Sequence, residues 1–297
     1  MVNKLAFVGL GVMGYPMAGW LQRAGCEVAV YNRTRSRAEA WVAEYGGTSA
    51  STPAEAAAGA AAVLVCVGRD SDVWEVTCGP SGALAAMDEG AVLIDHTTAS
   101  ADLARRLGHA CARAGVEFVD APVSGGELGA KGGKLTAMCG SSVHGFALAK
   151  PIIAHYAQCV RLLGPIGSGQ LAKMANQICI AGLLQGLSEG LHFCQMAGLD
   201  PFEVVQVISQ GAAQSWQMDK HHRRMVDGEF EHGFAVDWMR KDLSLALAEA
   251  RKNGSQLPVT ALVDQFYADV QGLGGGRWDT SSLIARLQAL ASPMRSS

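Results

Sequence analysis

Lys173 and Asn176 stand three residues apart in the run Gly164-x-x-Gly167-x-Gly169-x-x-x-Lys173-x-x-Asn176. On a helix that spacing makes them neighbours on one face. A lysine amine there could move a proton in catalysis, or its stem could snorkel along the surface with the charge in water. The residues alone favour the surface reading. A second candidate is Ser124-Gly125-Gly126, closing the run Asp120-Ala121-Pro122-Val123-Ser124-Gly125-Gly126. A hydroxyl beside the N–H groups of two glycines suits a substrate carboxylate, while a plain glycine turn fits the same letters.

A third candidate is Gly9-Leu10-Gly11-Val12-Met13-Gly14. In a dinucleotide-binding loop one such glycine makes the tight turn, one admits the pyrophosphate and one lets helix and strand pack closely. The N–H groups of Val12 and Met13 would then face phosphate at a helix start. The pattern is weak alone and gains weight because it follows a strand and opens a helix. The second strand ends in Tyr31-Asn32-Arg33-Thr34, where NAD-binding folds usually place an acid for the ribose 2′-OH. Arg33 can pair with a 2′-phosphate, and Asn32 and Thr34 offer neutral hydrogen bonds. This reads as NADP, with NAD second. Arg35 and Arg37 leave open a loop that is simply basic.

These residues need elements to position them, and the letters supply an alternation. Apolar runs at 5–9, 27–31, 62–67, 92–95 and 116–120 read as strands, with a short segment at 47–49. Helical spacing at 15–24, 36–45, 53–59 and 101–114 lies among them, which predicts a doubly wound parallel sheet. A hairpin-like turn at Gly132-Gly133 is expected to lead into a strand at 135–139, then a helix at 146–156. Past Gly164 the pattern becomes helical throughout. Positions 169–196 carry Leu171, Met174, Ile178, Leu183, Leu184, Leu187 and Leu191 at helical spacing, and Asp200-Pro201-Phe202-Glu203 reads as a cap opening the next helix. Further helices are expected at 241–252, 259–270 and 281–290, with a frayed tail at 293–297. The fold expected is α/β: a Rossmann-type domain over 1–164, then an all-α domain over 165–297 joined by a long helix.

Of the 297 residues 49% are hydrophobic and 17% charged, which excludes a disordered chain. A net charge of −3 with no basic stripe argues against nucleic acid as partner. No apolar run is long enough to span a bilayer, and no signal peptide is evident, so a soluble, cytoplasmic protein is expected. The eight cysteines are scattered without a C-x-x-C pair and read as buried reduced thiols. No His spacing suggests a metal, and His221-His222 reads as a solvated helix face.

Together 9–14, 120–126, 164–176 and Lys241-Asp242-Leu243 resemble the four signatures of the β-hydroxyacid dehydrogenase family, in order and across nearly the whole chain. That family includes 3-hydroxyisobutyrate dehydrogenase, tartronate semialdehyde reductase and the glyoxylate/succinic semialdehyde reductases. The resemblance implies that Lys173 is the catalytic lysine and that Ser124, Gly125 and Gly126 hold the substrate carboxylate. It implies that Asn176 helps hold the substrate and that Phe234 and Asp242 line its pocket. Thr98 would stand where cofactor and substrate meet, and Val67 and Lys241 would join the cofactor contacts. Asn32-Arg33-Thr34 resembles the NADPH-using branch. The implied reaction is reversible reduction of a small aldehyde acid to its hydroxy acid, in a homodimer or homotetramer. Lys134 departs from the pattern and reads as a solvated strand end, and the loop Gly211–Gln217 departs through Trp216, which leaves substrate choice open. The rivals are an NAD-linked 3-hydroxyisobutyrate or tartronate semialdehyde enzyme, an imine reductase and a non-catalytic dinucleotide-binding module. Lys173 counts against the imine reductase, and Lys173 with the Ser-Gly-Gly loop counts against the module.

Overall fold

A computed structural model describes residues 4–291; the tail expected to fray lies outside them. Among the described residues nine strands form one sheet: β1 Lys4–Val8, β2 Glu27–Tyr31, β3 Thr48–Ser49, β4 Ala62–Val65, β5 Val92–Asp95, β6 Glu117–Asp120, β7 Val123–Ser124, β8 Leu135–Ser141 and β9 Ala157–Gly164. Six of them run parallel in the order β3-β2-β1-β4-β5-β6. This is the dinucleotide-fold order, whose direction reverses beside β1. β8 then pairs antiparallel with β6 and β7, and β9 pairs parallel with β8.

The alternation of side chains along each strand builds two cores. Leu5, Phe7, Val28, Val30, Leu64 and Ile94 pack on one face, under the helices Gly14–Arg23 and Arg35–Tyr45. Ala6, Val8, Val63, Val65, Leu93 and Phe118 pack on the other, with Leu103 and Leu107 of the helix Ala101–Arg113. Strands buried on both faces are apolar at nearly every position, which is why they read as near-continuous runs.

Three elements depart from expectation. The Gly132-Gly133 turn ends a short helix, Gly126–Lys131, so β7 and β8 are joined through that helix and not by a hairpin. The helix Asp70–Cys78 buries only Val73 and Thr77, too few to show a period. β9 lies at an edge with mixed burial, which hides its alternation.

Contacts divide the chain into two compact units between Lys173 and Met174. The second is helical: Pro201–Ile208, Trp216–Asp227, Val236–Asn253, Pro258–Gly272 and Leu283–Ala291 follow the long helix Ser168–Met196. Asp200 caps its helix as the letters imply, accepting the Phe202 N–H at 2.8 Å. Val236, Met239, Leu243, Val263, Tyr267 and Leu283 form one of its cores. The long helix departs from its expected face: Leu183 is exposed and Leu171 and Ile178 half-buried, while Gln170, Lys173 and Gln177 are buried. Cys179 is likewise exposed, not a buried thiol. Among the described residues no helix is long and apolar enough to cross a membrane, and no cluster of metal-ligating side chains occurs.

Candidate active site

In the first unit the chemistry-bearing runs gather at the carboxyl ends of the strands, where open α/β sheets bind ligands. Gly9 leaves β1 at φ +98°, its N–H bonded to the Tyr31 carbonyl at 2.8 Å. A Cβ on Gly14 would lie 2.0 Å from the Gly9 carbonyl oxygen, so only glycine lets the helix start this close to the strand. Beside Gly11 a Cβ would meet nothing within 4 Å, and Val12 is 53% exposed. That open cradle at the start of a helix, next to Met13, fits a pyrophosphate.

Asn32 braces the cradle. Its Oδ1 accepts the Leu10 N–H at 2.9 Å, and its Nδ2 donates to the Thr34 carbonyl at 3.0 Å. Arg33 and Thr34 are exposed, and the nearest following acid, Glu39, is paired with Arg35 at 2.9 Å.

At the ends of β4 and β5 the Val67 N–H donates to Thr97 Oγ1 at 3.0 Å, and the Thr97 N–H donates to Asp95 Oδ1 at 2.9 Å. Burial pushes Asp95 up to about 7 against the pull of the Thr97 N–H, and its register partner Asp120 adds to the rise. Half-buried Thr98 follows. Ser124 is half-buried opposite Thr136 of β8, and Gly125 and Gly126 are exposed at φ +126° and +61°. Lys134 is exposed just before β8, as a solvated strand end would be.

Asp120 is fully buried and anchors the start of the long helix. Its carboxyl oxygens accept the N–H groups of Gly167 at 2.7 Å and Gln170 at 2.9 Å. Burial raises it to about 7, and these donors pull it back. A Cβ on Gly169 would lie 2.4 Å from the Met138 carbonyl oxygen, so that glycine permits the approach. Lys173, one turn beyond Gln170, is only 7% exposed.

The second unit assembles three more of the expected residues through one that the letters did not mark. Asn176 Nδ2 donates to Gln177 Oε1 at 2.8 Å, and Gln177 Nε2 donates to Asp242 Oδ2 at 2.8 Å. Lys241 Nζ lies 3.0 Å from Asp242 Oδ1. Phe234, 38% exposed, is fixed at both main-chain ends: Asp279 Oδ2 accepts its N–H at 2.9 Å, and its carbonyl accepts from the Thr280 N–H at 2.9 Å. Trp216 opens its helix and meets His221 edge-on, and His221 Nδ1 lies 3.6 Å from Asp279 Oδ1. The His221 side is therefore tucked in, not a solvated face. Gln170 and Gln177 were legible only as polar residues at positions i and i+7 of the long helix, flanking Lys173.

Residues 4–164 match the family model for the NAD binding domain of 6-phosphogluconate dehydrogenase. Residues 167–287 match that for the NAD-binding domain of NADP-dependent 3-hydroxyisobutyrate dehydrogenase. The chain belongs to the β-hydroxyacid dehydrogenase family. It is 56% identical to an uncharacterized oxidoreductase of Shewanella frigidimarina, over 96% of this chain and 98% of that one. It is 34% identical to the 2-hydroxy-3-oxopropionate reductase of Escherichia coli, over 97% and 98%. The Mycobacterium tuberculosis 3-hydroxyisobutyrate dehydrogenase, solved with L-serine, matches with a TM-score of 0.87 and 27% identity, over 97% and 100%. As a β-hydroxyacid dehydrogenase the chain is an NAD(P)-linked oxidoreductase acting on a CH–OH group.

Proposed function

We propose that this β-hydroxyacid dehydrogenase reduces a small aldehyde acid to its hydroxy acid with NADPH, reversibly, using Lys173 as general acid. The observation that carries the reading is the burial of Lys173, 7% exposed one turn after the Asp120-anchored start of its helix. A snorkelling lysine keeps its charge in water, so burial favours the chemical role over the surface one. The nicotinamide, when bound, supplies the hydride. Lys173 then gives a proton to the carbonyl oxygen as negative charge develops there, and in the reverse direction takes it from the alcohol.

Ser124 with Gly125 and Gly126 takes the carboxylate, and Asn176, three residues along the helix from Lys173, holds the substrate within reach. Phe234 and Asp242 line the substrate side. Gly9, Gly11, Val12, Met13 and Gly14 take the pyrophosphate, with Val67, Thr98 and Lys241 completing the cofactor contacts. NADPH is favoured over NADH because Arg33 and Thr34 are exposed where an acid would select the 2′-OH. The names of the relatives, acting on 2-hydroxy-3-oxopropionate or 3-hydroxyisobutyrate, support a small carboxylated substrate. Assembly as a homodimer or homotetramer belongs to the same reading and is checked by sedimentation.

The experiment is NADPH and NADH oxidation with glyoxylate, succinic semialdehyde, tartronate semialdehyde and methylmalonate semialdehyde. Turnover of at least one with NADPH is expected. No turnover of any overturns the reading of a small aldehyde acid as the substrate.

A further inference from the structure

Thr98 and Lys173 come from distant parts of the sequence, and one buried side chain spans the gap between their segments. Gln170 is fully buried, one helical turn before Lys173. Its Oε1 accepts the Ala99 N–H at 3.0 Å, and its Nε2 donates to the Thr97 carbonyl at 2.8 Å. The two bonds grip the main chain on either side of Thr98. The Gln170 N–H itself donates to Asp120 Oδ2 at 2.9 Å, so the gripping residue is tied to the end of β6 as well.

A primary amide offers an acceptor and a donor, and here each is committed to a main-chain group of opposite kind. Neither a leucine nor a methionine could serve both, and an asparagine would be one methylene short. The segment gripped is a loop leaving β5, whose peptide groups have no ladder partner at these positions in the sheet register. A side chain from the helix of Lys173 supplies the pairing that the sheet does not.

We propose that Gln170 is a positioning residue that holds Thr98 and the Lys173 turn in one fixed frame, so that the proton donor meets the substrate carbonyl in register. This rests on the reading of Lys173 as general acid. Misplacement of about 1 Å can cost about 100-fold in rate. A core glutamine with only a packing role would, when replaced, lower stability without separating turnover from binding.

The test compares Gln170→Met with wild type in kcat, KM, NADPH affinity by fluorescence titration, and hydrogen exchange at the Ala99 amide. Expected are a kcat lower by about 10- to 100-fold, KM within about threefold, NADPH affinity lowered by a smaller factor than kcat because Thr98 is one of several cofactor contacts, and faster exchange at Ala99. Gln170→Glu serves if the methionine variant does not fold. Its carboxyl keeps the acceptor for Ala99 and can donate to Thr97 only when protonated. Its main-chain N–H bonds Asp120, Asp95 lies one strand over, and Asp70 accepts the Ser100 N–H beside the gripped loop, with His96 next to Thr97, Arg105 near Gly167 and Lys173 one turn on as further titratable groups. Its kcat should therefore fall with rising pH along a limb that wild type lacks.

Turnover of Gln170→Met within threefold of wild type overturns the inference, as does a flat Gln170→Glu profile. Parallel loss of kcat, substrate affinity and NADPH affinity also overturns it, since that is the mark of a purely structural role. A wild-type chain that reduces none of the aldehyde acids removes the functional reading and this role with it, and that failure is visible before any variant is made.

Discussion

The Nε2 of His96 lies 2.7 Å from the Tyr156 hydroxyl, and both side chains are buried. His96 Nδ1 lies 2.7 Å from the Ala121 carbonyl, which can only accept. Nδ1 therefore carries the proton, Nε2 accepts, and the tyrosine donates. The ring is neutral and its tautomer is set by its partners. It joins the loop that carries Thr98 to the run that carries Ser124.

This arrangement makes stability depend on acid in a defined direction. Burial lowers His96 to about 4 from its ordinary 6.5. The unfolded chain then binds more protons than the fold between those values, so the His96 contribution is whole above 6.5 and is lost as pH falls towards 4. Asp95 and Asp120, pushed up to about 7, act in the opposite sense: their contribution is whole below 3.8 and is lost as pH rises through 7. Comparing wild type with His96→Gln isolates the histidine. Denaturant unfolding at several pH values should show wild type losing stability relative to the variant from pH 6.5 downward. A constant difference would mean that the ring takes up its proton in the fold at the same pH as in the unfolded chain.

The sheet was legible because its strands are buried on both faces, and runs such as Ala62–Val65 carry that burial in their letters. The glycine turn was legible because steric needs at Gly9 and Gly14 exclude other residues. Gln170 and Gln177 were not, because a helical glutamine ordinarily faces water. What gives them meaning is a partner far along the chain, Thr97 and Ala99 for one and Asp242 for the other. The same limit explains Lys173, whose neighbours in sequence say nothing of the burial that distinguishes an amine in a site from one in solvent.

Cofactor choice should turn on Arg33. Arg33→Asp replaces a partner for the 2′-phosphate with a charge that repels it, and supplies a carboxylate suited to the ribose hydroxyl. NADPH affinity should fall by at least about 10-fold, the effect of roughly 1.4 kcal/mol, while NADH affinity holds or improves. Titration of both dinucleotides decides it, and equal losses would place Arg33 outside the site.

Ser124→Ala should raise KM for carboxylated aldehydes several-fold and leave NADPH affinity nearly unchanged, because a ground-state contact is removed. Steady-state kinetics at fixed NADPH, paired with cofactor titration, separate the two. A collapse of NADPH affinity would assign the loop to the cofactor.

Gln177→Leu should cost the second unit its polar bridge. Asp242 is 2% exposed and would lose the donor 2.8 Å from Oδ2, and Asn176 would lose its acceptor. Leaving such a group underpaired costs about 1–3 kcal/mol, so the thermal midpoint should drop by several degrees. KM should rise, since Asn176 and Asp242 no longer hold one arrangement. An unchanged midpoint would show that water replaces the amide without penalty.

Lys173→Met keeps most of the stem and removes the charge. The helix is anchored upstream, where Asp120 accepts from Gly167 and Gln170, so the fold should tolerate the change. General acid–base catalysis contributes about 10²- to 10⁴-fold, and kcat for reduction should fall by that factor. NADPH affinity should hold within about threefold, a shift under about 1 kcal/mol. Oxidation sends the proton the other way and needs the neutral amine, so in wild type it should gain with rising pH while reduction does not. In the variant that difference between directions should disappear. A lysine that only packs its stem predicts near-normal turnover in the methionine variant, because the apolar length is preserved. Turnover within a few-fold of wild type would therefore remove Lys173 from the chemistry, and the pH profiles would show whether another group had taken the proton.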